Sequence, residues 1–119
     1  MSAECRVKLI VEVTGLGQGI DFSTNFTTAT PTLKNLNYDS IGTDAEALDI
    51  SDISTVEFVV IKNTDATNYV EIDCNYSSSF SADIKLDAGK TAIFKPSGTV
   101  QAKANTSACL VEFLVIGTA

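Results

Sequence analysis

The sequence predicts an all-β protein: an antiparallel β-sandwich of jelly-roll or Ig-like type, with about nine short strands and no substantial helix. Three observations predict it. Apolar and polar residues alternate with a period of two through several segments. Turn-forming Gly, Pro, Asn and Asp punctuate those segments about every eight to twelve residues. Val, Ile and Thr, which suit a pleated half-buried surface, are abundant. The 119 residues fit a single β-sandwich domain, 1–119, long enough to bury a core without staples.

The elements follow in order. In residues 5–13, Cys5, Val7, Leu9, Val11 and Val13 point one way, and Arg6, Lys8 and Glu12 the other, with Ile10 as the exception. Gly15, Gly17 and Gly19 break that strand. A second strand is expected over 20–28, anchored by Ile20, Phe22 and Phe26, and Pro31 should end it. A weaker one covers 33–41. Residues 42–53 alone have helical flavour, since Thr43 and Glu46 fit a capping box. The segment is too short for an isolated helix, so a single turn or a short edge strand is expected.

Residues 55–62 form the first strongly apolar strand, with Val56, Phe58 and Val60 on one face and Val59 and Ile61 on the other. Residues 63–68 read as a turn. Strands follow over 69–74, 80–86, 91–94, 100–104 and 109–116. Gly89 sits where a turn wants positive φ. Two strands, 55–62 and 109–116, are apolar on both faces, whereas an antiparallel strand normally wets one. Either loops cover both, or their outer faces meet another subunit. Val59, Ile61, Leu110, Leu114 and Ile116 are the candidate contact residues. Glu112 would be costly if buried unpaired, so it belongs at an edge, a rim or in a pair.

Charge and composition narrow the function classes. The net charge is −7 with no Lys/Arg cluster, which disfavours nucleic acid as a partner. No apolar run reaches the roughly 18 residues of a membrane span, so no membrane partner is expected. The first residues lead into alternation rather than an apolar h-region, which argues against a signal peptide. The cysteines Cys5, Cys74 and Cys109 are odd in number and widely spaced, which fits free thiols in a reducing cytoplasm. A Cys5–Cys109 bridge stays open.

Chemistry has little to work with. With no histidine, the common serine and cysteine triads cannot be built. The run from Gly15 to Gly19 lacks the lysine and the helix of a phosphate loop. The acidic stretch of Asp44, Glu46, Asp49 and Asp52 lacks EF-hand spacing and reads as a solvated loop. No enzyme activity, metal or cofactor is therefore expected. Asn68, Tyr69, Asn75 and Tyr76 have the composition of an adaptable binding loop and are the candidate exposed-loop residues.

The second half carries a more specific pattern. Phe58-Val-Val-Ile-Lys-Asn-Thr-Asp-Ala-Thr-Asn-Tyr-Val-Glu-Ile72 leads to Ile84-Lys-Leu-Asp-Ala-Gly-Lys90, then Ala92-Ile-Phe-Lys-Pro96 and Ala102-Lys-Ala-Asn-Thr-Ser-Ala108. This resembles a class of small virion structural proteins of tailed bacteriophages, over about half the chain. The shared residues are turn and core positions, and Lys90 stands where the pattern has an acidic residue. The resemblance implies a β-sandwich that decorates or cements a capsid. Its partner would be the major capsid protein, and it would self-associate, with a trimer favoured. Its place would be the virion exterior after synthesis in the host cytoplasm. The alternatives are a tail or neck component, or a host-surface carbohydrate-binding module.

Overall fold

Alternation becomes strand nearly everywhere the sequence shows it. The computed structural model describes residues 2–15, 17–29, 31–48, 50 and 53–118. Among these there are ten strands and no helix: β1 (Ser2–Val13), β2 (Gln18–Ala29), β3 (Pro31–Ile41), β4 (Glu46–Ala47), β5 (Thr55–Asn63), β6 (Val70–Tyr76), β7 (Ile84–Leu86), β8 (Thr91–Phe94), β9 (Thr99–Ala104) and β10 (Cys109–Thr118). The chain divides into two compact units, Met1–Pro31 and Thr32–Ala119.

The first unit is a two-stranded antiparallel hairpin. β1 and β2 stay in register from Ser2 opposite Ala29 to Val13 opposite Gln18. Gly19 already belongs to β2, and Gly15 and Gly17 lie in the hairpin turn at φ of +91° and +65°. An ordinary side chain is strained in that region, which is why glycine sits there.

The second unit is a sandwich of two four-stranded sheets, ordered β3-β10-β5-β8 and β4-β9-β6-β7. Successive strands pass from one sheet to the other, except at the β6–β7 hairpin. Eight strands wound this way across two sheets form a jelly roll. The core lies between the sheets. Val59, Ile61, Val111, Phe113 and Val115 come from one sheet, and Val70, Ile72, Leu86, Val100, Ala102 and Ala104 from the other, all in one buried cluster.

Residues 42–53 hold the short edge strand that was one of the two expectations there: β4, two residues paired to β9, a tenth strand beside the nine counted from the sequence. Two other expectations are corrected. Pro31 opens β3 instead of closing the strand before it; a missing N–H costs nothing at a strand's first residue. The strand expected over 80–86 shrinks to Ile84–Leu86, because side chains hold its first half as a loop. The buried Asp73 carboxylate accepts from the amides of Asn75 and Ser81, and Asp83 accepts from the Cys74 amide.

The turn at 63–68 is built around a buried polar side chain. Asn63 donates to the carbonyls of Asn68 and Leu86 at 2.8 and 3.1 Å and accepts from the Asp65 amide at 3.0 Å. The Asp65 carboxylate in turn accepts from the amides of Thr67 and Asn68, and these two bonds hold its pKa below the ordinary value. The turn at 87–90 closes with Lys90 donating to Asp87 and Gly89 at φ +76°.

Candidate functional site

Strand parity decides which residues each sheet presents. On β5 and β10, the odd-numbered residues from Val59 to Asn63 and from Cys109 to Val115 are buried. The even-numbered residues therefore stand on the outer face. The register sets Leu114 opposite Val60 and Ile116 opposite Phe58. It also sets Val60 opposite Ile93 of β8. Phe58, Val60, Ile93, Leu114 and Ile116 are all partly exposed. They make a continuous apolar patch across three strands of one sheet.

The patch has a polar border on one side. Glu112 lies opposite Lys62, and Lys62 opposite Thr91. The exposed Tyr38 on β3 donates its hydroxyl to Glu112, and that bond, then the carboxylate's charge, pushes the tyrosine pKa up. Glu112 thus lies partly exposed and paired. A shallow groove of about 270 Å³, lined by Val60, Lys62, Thr91, Glu112, Phe113 and Leu114, runs where patch and border meet.

The outer face of the other sheet is of a different kind. Glu71 of β6 sits between Lys85 of β7 and Lys103 of β9 in the cross-strand register. Opposite charges so placed stabilise a sheet facing water. Each lysine also covers an aromatic ring, Lys85 over Tyr69 at 4.4 Å and Lys103 over Phe80 at 4.9 Å, which hides apolar surface beneath a cation. The described side chains thus give the sandwich an apolar patch with a polar border on one outer face and charged residues on the other.

The candidate contact residues divide accordingly. Leu114 and Ile116 belong to the apolar patch, and Leu110 is 48% exposed near the start of β10. Val59 and Ile61, expected on the outer face, are core residues at 1% and 0% exposure. Their neighbours Phe58 and Val60 take the outer positions. The signal was present in Lys62, which shares parity with Phe58 and Val60 and cannot point into an apolar core. Ile93 of the patch and Tyr38 of its polar border were missed because only strand order brings them there.

The candidate loop residues are not brought together. Asn68 and Tyr69 precede β6, while Asn75 and Tyr76 end it. Six residue steps of extended chain separate the pairs by about 20 Å. Asn68 donates to Ser107, and the Tyr69 amide donates to the Asn105 side chain, so these groups are spent on joining two turns.

Of the acidic stretch, Asp44 and Glu46 are described, and Asp49 and Asp52 lie outside the described residues. Among the described residues no three acidic or thiol side chains converge as metal ligands. Cys74 and Cys109 are free thiols, and the Cys5 side chain lies outside what the structure describes. Burial, then nearby aspartates, pushes both thiols' pKa up. That keeps them protonated and unreactive at neutral pH. No protein-family model, curated protein or solved structure matches the chain.

Proposed function

We propose that the chain is a structural virion protein that decorates or cements a bacteriophage capsid through protein–protein contacts. The observation that carries this reading is the contrast between the two outer faces. A sandwich free in solution gains nothing from Phe58, Val60, Ile93, Leu114 and Ile116 in water. A sandwich laid on a shell by that face buries them, while the Lys85–Glu71–Lys103 face keeps the particle's exterior wet and charged. The partner in this reading is the major capsid protein, the location the capsid exterior, and no catalytic step is involved.

Two further points support it. The pattern from Phe58 to Ala108 resembles small phage virion proteins, and its residues map onto the turns and core of the sandwich. Jelly rolls also build viral capsid domains, which is an argument by fold analogy alone. Lectin domains use the same architecture, but the Tyr/Asn pairs that suggested a glycan site lie at opposite ends of β6. The test is sedimentation of the protein with capsids that lack it. Saturation at the number of equivalent shell positions supports a decoration role. Binding confined to one ring per particle would make it a neck or tail component, and retention on a glycan array without capsid binding would make it a carbohydrate-binding module.

A further inference from the structure

The hairpin poses its own problem. A lone two-stranded hairpin is marginal in water, and stability takes a third strand or packing against another element. Leu9 lies opposite Phe22, and Val11 opposite Ile20. These four share one face at 42%, 58%, 44% and 57% exposure. Among the described strands, β1 pairs only with β2, which leaves the outer edge of a twelve-residue strand open. Such an edge is a template for another strand.

Charge indicates which strand. The chain carries −7 overall, yet the hairpin holds Arg6 and Lys8 against Glu4, Glu12 and Asp21, one charge from neutral. It is the part of this acidic chain that a second copy can approach with little like-charge repulsion. The order of the charges along β1 also fits an antiparallel copy of itself. With a twofold axis at Leu9, Arg6 stands opposite Glu12 of the second copy, Glu12 opposite its Arg6, and Lys8 opposite its Ile10. Shifting the axis to Lys8 would set Glu4 against Glu12. Shifting it to Arg6 would set Arg6 against itself.

We infer that β1 pairs edge to edge with β1 of a second copy about a twofold axis at Leu9, making a four-stranded sheet β2-β1-β1-β2. The pairing continues the Leu9, Val11, Ile20 and Phe22 face across the axis and closes both β1 edges. The contact is isologous and independent of the capsid reading, since it uses no residue of the sandwich. A trimer, which the resemblance favours, would need a different surface.

Sedimentation equilibrium and native mass spectrometry of the full chain test it. The wild type should be dimeric. Arg6→Glu alone sets like charges together twice across the axis, as does Glu12→Arg alone, and each should raise the dissociation constant about tenfold. The double swap should restore it. A second arm tests the register in a Cys5→Ser background. Only a residue on the axis meets its own copy, at a Cα separation a disulfide can span. Leu9→Cys should therefore oxidise to a covalent dimer, and Val11→Cys, about 13 Å from its own copy, should not. A monomeric wild type, or a double swap as weak as the single changes, would overturn the pairing. Cross-linking by Val11→Cys but not Leu9→Cys would overturn the register.

Discussion

Val59 and Val60 are adjacent, chemically identical and on opposite faces, so one substitution at both separates core from contact surface. Val59→Lys replaces a side chain that is 1% exposed. Losing the buried valine costs about 1.5–3 kcal/mol. A lysine that ordinarily titrates near 10.4 costs about 5 kcal/mol to hold neutral at pH 7 in an apolar core. Together these reach the whole stability of a typical domain, about 5–15 kcal/mol. Val60→Lys places the same ammonium on a partly exposed face, where the stem lies along Leu114 and Ile93 and the charge stays in water. Its cost should be within about 1 kcal/mol. Urea unfolding followed by far-UV circular dichroism reads both. With a slope of about 1–3 kcal/mol per molar, Val60→Lys should move the midpoint by less than about 1 M. Val59→Lys should be largely unfolded without denaturant. If Val60→Lys unfolds the protein and Val59→Lys does not, the β5 register is wrong by one residue and the apolar patch does not exist.

Three other outcomes follow from the same structure. Asn63→Ala removes three hydrogen bonds, to Asn68, Leu86 and Asp65, from a buried position; it should cost about 2–4 kcal/mol in thermal unfolding. Gly117→Ala should destabilise by about 1–3 kcal/mol or more, because a Cβ there would run into the Thr55 carbonyl oxygen at the β10 bulge; a neutral effect would mean that β5 and β10 part at that end. Asp65 has a depressed pKa in the folded chain, so its contribution is present above the ordinary value of 3.8 and is lost as pH falls through the folded value. Amide exchange at Thr67 and Asn68 should therefore speed up relative to neighbouring turns only as pH falls below 3.8 and through the lowered folded value, and Asp65→Asn should remove that pH dependence.

Most of the architecture could be read from local pattern. The turn at 87–90 followed from Gly89, and the β10 strand from its own composition. What could not be read was long-range. For β4, two residues held by β9, the sequence narrowed the choice to a turn or a short edge strand, and only the pairing with β9 decides between them. The loop ahead of β7 exists because Asp73 and Asp83 capture amides from elsewhere in the fold, although residues 80–86 look strand-like. The orientation of β5 was ambiguous because both of its faces are apolar, and a one-residue slip exchanges them. The patch was half legible for the same reason: Leu114 and Ile116 share parity with Glu112 and were placed outward, while Ile93 and Tyr38 needed the order β3-β10-β5-β8. Nothing local in Asn63 distinguishes a buried hub from an ordinary turn residue.

In the proposed decoration role, the β3-β10-β5-β8 face meets the shell and the β4-β9-β6-β7 face looks outward. A reconstruction of virions carrying this chain, at a resolution that separates strands, tests it most directly. Val60, Ile93 and Leu114 should lie against the major capsid protein, with Lys85, Glu71 and Lys103 in solvent. A particle with the lysine-bearing face against the shell, or one lacking the chain, would contradict it.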